Sequence, residues 1–439
     1  MIQAFLYEFQ AKYQAGDTTE HAYRTPFETL FASLNQDIRV ITAPERCRKT
    51  GSPDFTFKRR QPSGSELTIG VCERKDIGQL RLTPDGAPDF SNDPRSQEQF
   101  HRYLEASPNL LYTDGVKWLF FENHNARPAH AVEIARVDNG IQQIPQNFSV
   151  LQALLTDFVG QTPFPITTSV QLAQTMAAKA KLLRFAFRNA LLEDEVLKTQ
   201  LGQQFVAIRT KLISDITPEH FAGIYAETIT YSLFAARLQS EDSPESFSRD
   251  EVCHLLPHAN PFLHNVFRLI ARPDAELEWV VEDLVEIFLV SHPREIMKSY
   301  GTSTARNDPL LHFYEDFLKA YDPETKDKLG VYYTPEPVVD FITRAIDDVL
   351  KTDFGLKQGL VDASRIEIEV DPQRGLDKDG SRAKTAETVK HSVPRVQVLD
   401  PAVGTGTFLS HIIKLIAQRI QSKTDSSAWN AYVETDLCN

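Results

Sequence analysis

The chain has 439 residues, more than one ordinary core holds, so two or three domains are expected. Charged residues make up 24% and hydrophobic residues 41%, an ordinary globular balance, and no apolar run approaches the roughly 20 residues of a membrane-spanning helix. The formal net charge of −13 argues mildly against nucleic acid as a partner, but binding depends on local patches rather than on the sum. The densest basic stretch is Arg46, Arg48, Lys49, Lys58, Arg59 and Arg60.

The opening segment MIQAFLYEFQAKYQ lacks a basic region followed by an apolar one, and reads as an amphipathic helix rather than a signal peptide. A second helix is expected near 21–35, then a strand at Ile38–Ala43. Cys47, Cys72, Cys253 and Cys438 show no CxxC pairing, so no disulfide framework or zinc site is indicated, and a reducing, cytoplasmic setting is expected. A hairpin is predicted from Asp54–Lys58, a QPSGS turn and Glu66–Lys75. Beyond a loop at Thr83–Pro94, a helix is expected near 96–106, followed by strands VKWLFFE at 116–122 and HAVEIARV at 130–137.

From about 160 to 325 the apolar residues recur at helical spacing, as in TSVQLAQTMAAKAKLLRFAFRNALL and EWVVEDLVEIFLV. From Leu329 the character changes again. GVYYTPEPVVDFITRAIDDVL has a Pro-marked helix start, Asp371–Lys390 reads as an exposed loop, and RVQVLD reads as a short buried strand. That strand runs into PAVGTGTFL and a further helix, a strand–glycine turn–helix unit.

Two constellations carry chemistry. In GSPDFTF, Asp54 opens one hairpin strand; in IGVCERKD, Glu73 and Lys75 close the next. Side chains alternate along a strand, so Glu73 and Lys75 share a face while Arg74 points away, and the hairpin can bring Asp54 opposite them. Two carboxylates suit a hard cation such as Mg²⁺, which activates water, and an ammonium beside them can orient that water or offset developing charge. Glu28 can supply a further carboxylate from the preceding helix. The set Pro53, Asp54, Glu73 and Lys75 resembles the PD-(D/E)xK nuclease motif, and Gln99 to Tyr103 matches the QxxxY element of some of these nucleases. The resemblance implies that Asp54 and Glu73 bind Mg²⁺, that Lys75 assists the attacking water, and that Gln99 and Tyr103 position double-stranded DNA.

In the second constellation, Gly404 and Gly406 let the backbone turn tightly and approach a ligand ahead of a helix N-terminus. DPAVGTGTFL resembles the S-adenosylmethionine loop of adenine-N6 DNA methyltransferases, and upstream GVYYTPEPVVDFI resembles their Tyr-Thr-Pro segment. By that resemblance Tyr333, Thr334 and Pro335 line the methionine end of S-adenosylmethionine, while Asp400, Gly404 and Gly406 form the floor and turn. The family's catalytic [DNS]PP[YFW] loop, which follows the glycine loop, does not occur in this sequence; Asn260-Pro261-Phe262 lacks the second proline and reads as a helix break. Glu434 and Asp436 lie at the spacing of a ribose-binding acid, but not after an apolar strand. His254 and His258 do not read as a metal pair, because Pro257 interrupts the spacing. The three tryptophans read as packing residues.

The expected layout is therefore an α/β nuclease domain over 1–160, an all-α connector over 161–328, and the truncated start of a Rossmann-like methyltransferase over 329–439. The order resembles single-chain restriction–modification enzymes of the type IIG and type ISP groups; with no GxxxxGK[ST] loop present, the helicase-free type IIG layout fits better. Such a chain is expected to cleave but not methylate DNA by itself. Two other readings stay open: a methyltransferase whose N-terminal domain only binds DNA or docks, and a non-functional remnant. The oligomeric state stays open as well.

Overall fold

The computed structural model describes residues 1–16, 23–61, 64–138, 140–162, 166–240, 272–304, 309–324, 334–370, 389–404, 406–421, 429–430 and 432–433. Tyr333, Asn260–Phe262, His254, His258, Glu434, Asp436, Cys253, Cys438 and most of the expected loop at 371–390 lie outside them. The chain divides into two compact units, Met1–Pro323 and Glu324–Asn439. Its content is mixed α/β.

The first unit is built on a six-stranded sheet in the order β1 (Ile38–Thr42), β2 (Phe55–Arg60), β3 (Glu66–Arg74), β4 (Asn109–Thr113), β5 (Lys117–Glu122) and β6 (His130–Glu133). All neighbours are antiparallel except β3 and β4. A parallel pair needs a crossover, and α4 (Pro94–Ala106) supplies it, started by Pro94 in its first turn and by Asp93, whose side chain accepts from Ser96 N. The predicted hairpin forms, with Phe55 paired to Cys72.

One sheet face packs against α1 (Ile2–Gln14), α2 (Arg24–Ala32) and α5 (Phe148–Gly160) around Phe5, Phe9, Phe27, Phe31, Phe55, Phe57, Trp118 and Phe158. Many of these rings meet edge-on, as Phe31 and Phe57 do at 5.0 Å.

The opposite face is covered by α4 and by the helical part of the same unit. There, α6 (Ser169–Glu193) is the longest element, and Thr168 and Gln171 close a capping box at its start. Around it lie α7 (Gln200–Lys211), α8 (Pro218–Gln239), α9 (Glu278–Leu289), α10 (Pro293–Thr304) and α11 (Pro309–Tyr321). A β-bulge interrupts the β2–β3 ladder after Phe57, and Thr68 N donates to Glu286 Oε2 of α9 at 2.7 Å. Lys58 Nζ donates to the other carboxylate oxygen of Glu286 at 2.6 Å. Burial pushes the Glu286 carboxyl up, against the pull of Lys58.

Some elements differ from expectation. The segment HAVEIARV is two strands: β6, and β7 (Ala135–Val137), which leaves the main sheet to pair with β8 (Ile141–Gln143). The break falls at buried Ile134, whose N–H bonds to Val116 O and whose carbonyl accepts from Ile144 N. Helix α3 (Glu45–Lys49) and strand β4 were not predicted.

The second unit contains α12 (Glu336–Thr352), a hairpin of β9 (Arg365–Val370) and β10 (Val389–Pro394), and α13 (Thr407–Gln421). Its small core is Leu360, Ile412 and Ile416, joined by partly buried neighbours including Leu350 and Trp429. The expected buried strand RVQVLD does not form: residues 396–400 make no ladder, Val398 is 46% exposed and Leu399 87%. Apolar sequence alone cannot hold a strand, and among the described residues none offers this segment a paired edge.

Candidate functional site

Asp54 directly precedes β2, Glu73 lies near the end of β3, and Lys75 follows it, with Lys75 N continuing the parallel ladder to Thr113 O at 2.8 Å. The Phe55–Cys72 pairing makes Asp54 and Glu73 cross-strand neighbours. Both carboxylates are buried, at 4% and 5% exposure. Lys75 Nζ donates to Glu73 Oε1 at 3.4 Å and stands 5.5 Å from the centre of the Tyr112 ring. Arg74 does point the other way: its guanidinium lies over the rings of Phe27 and Phe55 in the aromatic core.

Gln99 and Tyr103 face the site one helical turn apart on α4. Lys75 Nζ donates to Gln99 Oε1 at 3.0 Å, Gln99 Nε2 donates to Tyr103 Oη at 3.3 Å, and Tyr103 Oη donates to Gly51 O at 2.9 Å. One chain of hydrogen bonds thus runs from the lysine to the loop before Asp54. Tyr103 is only 2% exposed, so its visible work is on that loop.

Asp54 has internal partners. Its Oδ2 accepts from Arg74 N at 2.9 Å and lies 3.6 Å from Arg74 Nε, while Oδ1 lies 3.7 Å from an Arg48 nitrogen. Glu28 sits apart on α2, where its Oε1 accepts from Arg24 Nε and Thr42 Oγ1. Burial pushes the Glu28 carboxyl up, but those two bonds outweigh it and the net shift is down. Among the described residues, no group of three or more His, Cys, Asp or Glu side chains is placed to hold a metal.

The site sets two carboxylates among Arg48, Arg74 and Lys75 in a water-poor place. Burial pushes the Cys72 thiol and the Tyr103 phenol up, and the charges of Asp54 and Glu73 push them further. Tyr112 is raised by burial and then by Glu73. A groove of about 400 Å³ is lined by Lys75, Tyr112, Asp93 and the 78–91 loop. A cavity of about 410 Å³ lies behind the loop, touching Ser52, Pro53, Tyr103 and Trp279. Most of the basic stretch is engaged internally: Arg48 with Asp54, Lys49 with Glu193, Lys58 with Glu286 and Arg59 with Val159 O.

In the second unit, Asp340 meets His411 at 3.4 Å and Asp347 meets Arg419 at 2.7 Å. These pairs advance together along both helices, so α12 and α13 run parallel with their N-termini at the same end. Thr334 and Pro335 lead into α12, and the glycine loop leads into α13. Gly404 and Gly406 have φ of +51° and +74°, the left-handed region that glycine enters without penalty. Asp400 Oδ1 accepts from Ala402 N at 3.1 Å. Phe185 packs against Gly51 and Trp279 bonds to Thr50 in the turn before Asp54, and nothing local in the sequence marks these residues.

No known protein family and no curated protein matches the chain. Among solved structures, a cryoEM structure of a DrdV–DNA complex is similar at 18% identity and a TM-score of 0.30, covering 95% of this chain and 35% of that one. The chain thus spans about a third of that protein's length. Among the described residues no helix is long and apolar enough to cross a membrane.

Proposed function

We propose that the first unit is a Mg²⁺-dependent DNA endonuclease of the PD-(D/E)xK type, and that the whole chain is part of a restriction–modification enzyme that also methylates adenine at N6. The observation that carries the cleavage reading is the cross-strand placement of Asp54 beside Glu73 at one strand end, with Lys75 donating to Glu73 and tied through Gln99 and Tyr103 to Gly51. Two buried carboxylates, whose charge already perturbs Cys72 and Tyr103, fit a hard cation. Asp54 and Glu73 would hold Mg²⁺, which when bound neutralises phosphate charge and makes water more acidic. Lys75 orients the attacking water through Nζ, its position fixed by Glu73 and Gln99. Gln99 and Tyr103 keep lysine and loop in register for double-stranded DNA, whereas Glu28, bonded to Arg24 and Thr42, stands apart from them.

In the second unit, Thr334, Pro335, Asp400, Gly404 and Gly406, with Tyr333, form the proposed S-adenosylmethionine site. Two parallel helix N-termini at one end, and a loop whose glycines are open to approach, favour it. The resident activity is tested by incubating supercoiled plasmid with the chain in Mg²⁺. Wild type nicks or linearises it and Asp54→Ala does not; equal cutting by both refutes the assignment. A second reading, a non-catalytic DNA-binding or docking domain, is favoured by one observation: Arg48 and Arg74 already stand beside the Asp54 carboxylate. Under that reading neither protein cuts.

A further inference from the structure

The loop that carries Asp54 is held from behind by the helical part of its own unit. Thr50, 2% exposed, is the hinge of that contact. Its hydroxyl lies 2.8 Å from Cys47 O and 2.9 Å from Glu276 O, and its single proton serves those two carbonyls. The same oxygen accepts a hydrogen bond from Trp279 Nε1, at the start of α9, at 3.2 Å. Cys47 Sγ stands 3.7 Å from Ala275 O, so the segment 275–279 grips both α3 and the residue after it.

A second helix presses on the next residue. Gly51 has φ +94°, and a Cβ there would stand 2.6 Å from Cε1 of Phe185 on α6. Phe185 is in turn covered by the Arg102 guanidinium, 3.3 Å from its ring centre. Little slack separates these contacts from Asp54: Gly51 N donates to Arg48 O and Ser52 N to Cys47 O, both at 2.9 Å, and Ala43 N donates to Asp54 O at 3.0 Å. A displacement of α9 therefore reaches Asp54 through a short, hydrogen-bonded turn.

We propose that Thr50 and Trp279 form a latch through which α9 sets the position of Asp54, making both of them positioning residues for divalent-metal binding. Neither side chain belongs to the cleavage motif, and neither is bonded to Asp54, Glu73 or Lys75. The helical part is then a working piece of the site, not a spacer. This inference rests on the nuclease reading, because it needs Asp54 to be a metal ligand.

The test is calorimetric titration of the full chain with Mn²⁺, comparing wild type, Asp54→Asn, Thr50→Val, Thr50→Ser and Trp279→Phe. Thr50→Val and Trp279→Phe should each weaken Mn²⁺ binding about fivefold, the size of one hydrogen bond. Thr50→Ser, which keeps the hydroxyl, should bind as wild type does. The double variant Thr50→Val/Trp279→Phe should be no weaker than the worse single, because both cut the same link. Wild-type affinity in Thr50→Val and Trp279→Phe overturns the latch and leaves the nuclease reading standing, as does weak binding by Thr50→Ser. Equal Mn²⁺ binding by wild type and Asp54→Asn overturns the nuclease reading, and the latch with it.

Discussion

Gly51→Ala tests how tightly the loop before Asp54 is packed. At φ +94° the new Cβ meets the backbone penalty of a left-handed conformation, about 1–2 kcal/mol. It also meets Phe185 at 2.6 and 2.7 Å, closer than carbon atoms pack, and overpacking of this kind costs about 1–3 kcal/mol. Because Phe185 is only partly buried, its ring can yield somewhat, so a total of about 3 kcal/mol is expected. Gly64 in the hairpin turn provides the control: its φ is +91°, and nothing lies within 4 Å of where its Cβ would stand. Gly64→Ala should therefore show the backbone penalty alone. Urea unfolding followed by tryptophan fluorescence measures both, and Gly51→Ala in a Phe185→Ala background should recover the steric share. If Gly51→Ala costs no more than Gly64→Ala, Phe185 does not press on the loop and the packing argument fails.

Other perturbations follow from the same contacts. Glu286→Ala leaves Lys58 and Thr68 N without their shared buried acceptor and should destabilise the first unit by about 3–5 kcal/mol, read from urea unfolding midpoints. Glu286→Gln, which keeps an acceptor for Thr68, should cost less. In the second unit, burial raises the Asp347 carboxyl but bonds from Arg419, Lys351 and Leu360 N outweigh it, holding it well below its ordinary value of 3.8. The folded form then binds fewer protons than the unfolded one, so this stability is present above about pH 4 and is lost as pH falls further. Asp347→Asn should lower thermal stability at pH 7 and flatten the acid limb; an unchanged limb contradicts the linkage. Gly404→Ala, strained at φ +51°, should weaken photocrosslinking of radiolabelled S-adenosylmethionine, whereas equal labelling argues against the glycine loop as its site.

The hairpin, the crossover helix and the neighbourhood of Glu73, Lys75, Gln99 and Tyr103 were legible because their signals are local. Alternation over two strands, a Pro-Ser-Gly turn, and Gln99 and Tyr103 at helical spacing all lie within short windows of sequence. Strand β4 was not: NLLYT is buried at every position, so it carries no alternation, and its role comes from the parallel pairing with β3. The opposite error arose at RVQVLD, whose apolar character promised a buried strand while the described fold gives it no ladder. Glu28 was read as a possible companion carboxylate, but its bonds tie it to Arg24 and Thr42. The grip of Phe185 and Trp279 on the loop joins residues far apart in the chain, which no motif window spans. The basic stretch shows its charges in the sequence but not their partners; Glu286 and Glu193 lie on distant helices.

Lys75, poised between Glu73 and Gln99, is proposed to serve a metal-dependent cleavage centre. Its most direct test is the Mg²⁺-dependent rate of DNA-strand cleavage by Lys75→Ala beside wild type, with both proteins shown by circular dichroism to be folded. Wild type should cut in a Mg²⁺-dependent way and the variant should lose at least about a hundredfold, the usual scale for a group that assists proton transfer or charge stabilisation. Equal rates, or cutting that persists without any divalent cation, would contradict it.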